Sequence, residues 1–215
     1  MSNFFENDDD VFTGKDHTPL REDAFVKTPE EKIKIIEEKF AEIMHTLGLD
    51  MTDDSLKDSP KRVAKMYVNE IFGGLLPENK PGISTFSNKY KYRQMLVEKD
   101  ITVYSFCEHH FLPFFGKIAV GYIPNGNIVG FGDVIKVIET LSKRPQLQER
   151  LSEEIAMVLY EELKCSGVCV HIEAEHLCMT MRGVKKSDSK VISLYSKGVL
   201  EDTNRRLEFL NLIRG

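Results

Sequence analysis

The chain has 215 residues, 41% hydrophobic and 29% charged, the balance of a soluble globular protein with one domain or a domain and an appendage. No window holds the ~18 consecutive apolar residues of a membrane helix. The start, Met1-Ser2-Asn3-Phe4-Phe5-Glu6 and then Asp8-Asp9-Asp10, lacks a secretory pattern, so a cytoplasmic location is expected. A net charge of −5 argues against nucleic acid or an anionic membrane as the main partner, but leaves room for a local basic pocket. Cys107, Cys165, Cys169 and Cys178 in such a chain point to metal binding or catalysis rather than to disulfides.

Residues 1–28 are acidic and poor in aliphatic side chains, and read as a disordered tail. Thr28-Pro29-Glu30-Glu31 is a capping box with proline in the first turn, and opens a helix with apolar positions Ile36, Phe40, Ile43 and Leu47, stopped by Gly48. Ser59-Pro60 is read as a second start of the same kind, with Val63, Met66, Tyr67 and Phe72 as its stripe and Gly73-Gly74 at its end. A loop rich in Pro, Asn, Lys and Gly runs to about residue 91.

From there the apolar period changes from 3.6 to 2. Strands are expected over 95–106 and 115–123, with a hairpin turn at Pro124-Asn125-Gly126-Asn127 leading into 128–131. Helices are expected over 133–142 and 145–164. A strand with Val168, Val170, Ile172 and Ala174 on one face follows, then strands over 177–182 and 190–196 and a closing helix over 201–213. The order predicts an α+β fold: an N-terminal helical region over 29–90, then an antiparallel sheet carrying two consecutive helices over 91–215.

The densest chemistry is Cys107-Glu108-His109-His110, where a thiol and an imidazole three residues apart have the short spacing by which one loop supplies two zinc ligands. Cys178, in His176-Leu177-Cys178, would add a third soft ligand, and three ligands suit a catalytic Zn²⁺ with an open position. Adjacent histidines near a cysteine are also common surface or packing residues, and spacing alone leaves both readings open. Cys169 alternates with core-facing Val168 and Val170, so it and Cys165 read as structural. If 177–182 is a strand, His176 and Cys178 share one side of it. Gln148 and Glu149, on their own, fit a solvated helix face.

Several runs together resemble the GTP cyclohydrolase I family. These are Cys107-Glu108-His109-His110-Phe111-Leu112-Pro113-Phe114, Gly116-Lys117, Gly121-Tyr122-Ile123-Pro124, Arg144-Pro145-Gln146-Leu147-Gln148-Glu149-Arg150-Leu151, His176-Leu177-Cys178, Arg182-Gly183-Val184 and, upstream, Ser59-Pro60-Lys61-Arg62-Val63-Ala64-Lys65-Met66-Tyr67. The resemblance spans about residue 30 to the C-terminus. It implies the tunnelling fold, in a homodecamer of two stacked five-membered rings with sites between subunits. It implies Zn²⁺ held by Cys107, His110 and Cys178, with His109 and His176 catalytic. The implied reaction is hydrolysis of GTP at guanine C8 with formate release and rearrangement to 7,8-dihydroneopterin triphosphate, the first step of tetrahydrofolate and pterin biosynthesis. Glu149 matches the guanine reader, with Gln148 framing the same pocket, and Arg182 and Arg62 match triphosphate-binding residues, Arg62 reaching in from a neighbouring subunit.

The sequence also departs from the family pattern. Where the family has Gly-Leu-Ser-Lys and an arginine three residues on, this chain has Gly130-Phe131-Gly132-Asp133 and Lys136. A serine is lost and a triphosphate lysine becomes a carboxylate, a change of two charge units beside an anionic ligand. Lys185, Lys186 and Lys190 are candidates to restore that charge, or simply residues of a solvated turn. Two further readings therefore accompany the first: a divergent paralogue that opens another guanine nucleotide, and a catalytically weak, pterin-binding zinc subunit.

Overall fold

A computed structural model describes residues 18–80, 82–182, 185 and 189–214. Of the segment read as a tail, residues 1–17 lie outside the described residues. The remainder forms turns, and the Thr18 hydroxyl donates to the Pro145 carbonyl at 3.3 Å. Helix α1 (Pro29–Thr46) starts as its capping box requires. Glu31 N donates to the Thr28 hydroxyl at 3.2 Å, and Thr28 N donates to the Glu31 carboxylate at 2.8 Å. Gly48, at φ +82°, lets the chain leave in the left-handed region. The inward row is Ile36, Phe40 and buried Met44, a strict i, i+4 line, whereas Ile43 and Leu47 are exposed. Two rows a fraction of a turn apart look alike in sequence, and packing against α2 selects one.

Helix α2 (Ser59–Met66) begins at Ser59 rather than being capped by it. Asp58 is at the N-cap and makes no side-chain capping bond. The helix continues as a wider π turn over Tyr67–Ile71 and a 3₁₀ turn over Gly73–Leu75. Strands β1 (Thr85–Ser87), β2 (Leu96–Cys107), β3 (Pro113–Ile123) and β4 (Asn127–Val129) follow, then α3 (Phe131–Ser142), β5 (Pro145–Gln146), α4 (Gln148–Leu163), β6 (Gly167–His176), α5 (Leu177–Thr180), β7 (Val191–Gly198) and α6 (Thr203–Arg214).

Among the described residues, five strands form one sheet in the order β5-β2-β3-β6-β7, antiparallel except for the short parallel β2–β5 pairing. Helices α3 and α4 cover one face, and the result is the expected α+β arrangement. Val168, Val170, Ile172 and Ala174 of β6 lie fully buried on that face with Val137, Ile138, Leu151, Ile155 and Leu159. Each of these valine, leucine and isoleucine side chains contributes roughly 1.5–3 kcal/mol by leaving water. Cys169 points to the opposite face, where Met95, Ala119, Leu200 and Phe209 bury it. Gly121 is needed there, because a Cβ would run into the Phe209 ring. The helical region is tied down at Gly74, whose N–H donates to Lys143 O at 2.9 Å and whose carbonyl accepts from Arg144 Nε at 2.9 Å. A Cβ at Gly74 would collide with the Thr140 and Lys143 carbonyls.

Four elements differ from expectation. Strand β1 lies in the stretch read as a loop, and Pro145–Gln146, expected to open a helix, pair as β5 before α4 starts at Gln148. The turn at 124–127 does not close a hairpin. Strand β4 pairs instead with β1, Thr85 opposite Val129, in a separate two-stranded sheet. The stretch 177–182 is not a strand: β6 ends at His176, and Leu177–Thr180 coil into the helical turn α5. His176 and Cys178 therefore do not share a strand face, and their proximity comes from that turn.

Candidate metal centre and active site

The chemistry-bearing residues collect at one rim of the sheet, where β2 and β6 both end. Cys107 is the last residue of β2, buried, and the chain reverses immediately after it. Phe111, at φ +52°, donates its N–H to Cys107 O at 2.9 Å, and Cys107 N donates to Leu112 O at 2.9 Å. This tight turn folds His109 and His110 back over Cys107. Their Nδ1 atoms lie 3.8 and 3.9 Å from Cys107 Sγ. Helix α5 brings Cys178 in from β6, and ligand atoms of Cys107, His110 and Cys178 all lie within 4.8 Å of one another. The expected metal ligands thus meet.

The donor set fits a thiophilic divalent cation. Burial and the neighbouring Cys107 push the Cys178 thiol up to about 11. In that state the Cys178 thiol resists ionising, and a bound cation reverses the balance. Two sulfurs and one imidazole suit Zn²⁺ and leave one tetrahedral position open. Cys165, also pushed up to about 11 by burial, and Cys169, raised by burial, are packed in the cores away from this rim.

Buried partners hold the rim in place. Glu108, between Cys107 and His109, takes a two-pronged ion pair from Arg150 of α4 at 2.6 and 3.2 Å, with the guanidinium 6% exposed. Glu108 N also donates to Gln146 O at 3.0 Å, so β5 and α4 both grip the turn. Sequence reasoning passed over Glu108 and Arg150; the signal was two opposite charges inside otherwise matched motifs. His176 stacks flat on Phe114, centroids 4.6 Å apart and planes 8° apart, and its Nε2 lies 2.8 Å from Gln148 Oε1. Burial lowers the His176 imidazole below its ordinary range, while the nearby Glu149 carboxylate pulls it partly back.

Of the other expected site residues, Gln148 and Glu149 lie by His176, and the rest are dispersed. Gln148, the first residue of α4, is 1% exposed, and its amide is bonded within the chain. Glu149, next to it, is exposed, as are Arg182 beyond α5 and Arg62 on α2. Arg62 has Asp58 at 3.7 Å. Lys136 pairs with Asp133 at 2.8 Å, and Asp133 also accepts from Ser84 N at 2.9 Å. Those two bonds, the lysine's first, hold the Asp133 carboxyl below the usual carboxylate range. Nothing lies within 4 Å of where a Gly132 Cβ would be, so packing does not require glycine there. Lys190 is paired with Glu173 at 2.6 Å, Lys185 is exposed, and Lys186 lies outside the described residues.

A sheet rim that joins a Cys-His-Cys cluster to two further histidines defines a candidate metal-dependent enzyme. The family profile of GTP cyclohydrolase I matches residues 36–214. The chain is 47% identical over 206 residues to the GTP cyclohydrolase 1 of Flavobacterium johnsoniae, covering 96% of this chain and 92% of the relative. It is 49% identical over 188 residues to that of Fusobacterium nucleatum, covering 86% and 100% respectively. A solved structure, the archaeosine synthase QueF-Like in its apo form, has a TM-score of 0.41 at 16% identity over 48% of this chain and 93% of its own, too slight a likeness to argue from. The chain belongs to the GTP cyclohydrolase I family and is an enzyme of that kind. No helix among the described residues is long and apolar enough to cross a membrane.

Proposed function

We propose that this enzyme hydrolyses GTP at guanine C8 with Zn²⁺ as its metal, releases formate, and closes the product to 7,8-dihydroneopterin triphosphate in the cytosol. The observation that carries this reading is the Cys107–His110–Cys178 cluster beside His109 and His176, in a chain with near-full-length relatives named GTP cyclohydrolase 1. Zinc held by the three ligands supplies, when bound, the Lewis acidity that makes water reactive near neutral pH. His109 protonates the imidazole nitrogen of guanine, which makes C8 electrophilic, and His176 moves a proton as the ribose opens. Glu149 accepts from the N1 and 2-amino edge of guanine, a pair of donors that adenine lacks. Arg182, Arg62 and Lys136 bind the triphosphate, whose oxygens suit guanidinium forks.

Residues 91–215 form the catalytic unit and 29–90 an accessory helical region. The subunits assemble as a decamer of two five-membered rings. Support for assembly comes from the sheet, whose edge strand β7 has no second partner strand among the described residues. The face away from α3 and α4, only partly covered by α6, also exposes Tyr104, Ile192 and Leu194. Exposed Glu149, Arg182 and Arg62 fit a pocket completed by a neighbouring subunit. Native mass spectrometry checks the decamer, and a stable, active monomer would overturn it.

The deciding experiment follows formate release and pterin fluorescence together, using zinc-loaded protein with GTP, GDP and guanosine. Formate with a fluorescent pterin from GTP is the expected result. Formate or an opened formamide without pterin would place this chain with a divergent paralogue. No turnover with zinc bound would leave a pterin-binding subunit.

A further inference from the structure

We infer that Gln148 is a positioning residue: it fixes the proton of neutral His176 on Nε2 and leaves Nδ1 as the ring atom that exchanges a proton with substrate. The second half rests on the proposed acid–base role of His176; the first rests on hydrogen-bond geometry alone.

The Gln148 amide can face only one way. Its Nε2 lies 3.1 Å from Ile172 O and 3.0 Å from Val191 O, with Ser193 Oγ at 3.2 Å. A backbone carbonyl only accepts, so the group facing two of them must be the NH₂. Turning the amide over would set its oxygen against both carbonyl oxygens, acceptor facing acceptor, in a place water does not reach, since Gln148 is 1% exposed. The atom 2.8 Å from His176 is therefore the amide oxygen, which also only accepts. The ring nitrogen facing it must carry a hydrogen.

The ring cannot escape this constraint cheaply. It stacks on Phe114, which is paired directly opposite His176 in the β3–β6 register, and Phe114 is fully buried. Flipping the imidazole in its own plane would put a C–H against the amide oxygen. A free neutral imidazole interconverts between two tautomers; this one is held in the Nε2–H form, with the Nδ1 lone pair available. Gln148 thus acts on the chemistry through His176 rather than by touching guanine with its side chain, and its neighbour Glu149, one position on and exposed, is left as the reader.

The test uses zinc-loaded protein labelled with ¹⁵N-histidine, observed without substrate near pH 8, where histidine is largely neutral. His176 is assigned by comparison with His176→Asn. In the wild type the expected spectrum has a protonated Nε2 and a bare Nδ1. In Gln148→Met both resonances move toward the averaged values of mixed tautomers. In GTP turnover the same variant is expected to lose roughly 100-fold or more in kcat, since a misplaced imidazole proton costs up to ~10⁴-fold, with KM changed less than about twofold. A bare Nε2 in the wild type, or a Gln148→Met protein with raised KM and unchanged kcat, would overturn the inference. The wild-type spectrum needs no variant to fold. Because it is read without substrate, failure of the cyclohydrolase reading leaves the tautomer result standing.

Discussion

The rim at the ends of β2 and β6 and the first turn of α3 use the same materials, carboxylates paired with cations, to opposite ends. At the rim, Glu108 faces a guanidinium that is itself buried, and the pair holds the turn carrying Cys107, His109 and His110. At α3, Asp133 joins Ser84 N–H to a lysine whose side chain is 65% exposed. The first pair is shielded from water and anchors reactive atoms. The second has one exposed partner, the lysine, and its buried carboxylate ties α3 to Ser84. Where the chain departs from the family pattern, open space surrounds Gly132 but Asp133 is buried and bonded, whereas the matched Cys107–His110 turn rests on an ion pair whose guanidinium is also buried.

Substitutions should expose that contrast in order of size. Cys178→Ala removes one of three ligands, and zinc content by elemental analysis should fall with turnover to near background. Arg150→Met strands the Glu108 carboxylate beside the metal turn. It should cost about 3 kcal/mol, seen as a melting point lower by roughly 6–12 °C, and weaken zinc binding by about 10–100-fold in a chelator competition. Asp133→Lys exchanges a carboxylate for an ammonium and releases Lys136. Titration with a non-hydrolysable GTP analogue should show affinity raised at least about tenfold, and no change would mean that this turn lies away from the triphosphate.

The smallest effect is a pH dependence. The folded Asp133 carboxyl is depressed, so its contribution to stability is present above the unfolded value of ~3.9 and is lost as pH falls through the lower folded value. Asp133→Asn should therefore melt slightly below the wild type near pH 6, with the gap closing in thermal scans as pH falls below the unfolded carboxyl value. A gap independent of pH would show that the ion pair with Lys136 contributes nothing.

Legibility in the sequence followed the range of the interactions. The Thr28–Glu31 box and the alternation of Val168, Val170, Ile172 and Ala174 are local patterns, and both elements formed as expected. Cys107 and His110 sit on one turn, so their spacing already carried the geometry. Strand β1 was hidden because its partner lies some forty residues on, and three residues carry too little period to announce themselves. Helix α5 was misread because a short apolar run fits a strand or a helical turn equally well, and tertiary context decides. Gln148 illustrates the remainder. Nothing in residues 145–151 discloses that its amide meets the carbonyls of Ile172 and Val191, one of them 43 positions away.

Cys107, His110 and Cys178 are proposed together to form the metal centre. X-ray absorption at the zinc edge of the loaded protein tests it directly. The expected shell has two sulfur neighbours at about 2.3 Å, one nitrogen at about 2.0–2.1 Å and one further light atom, with one sulfur lost in Cys178→Ala. A shell of nitrogen and oxygen alone, or two sulfurs retained in that variant, would contradict it.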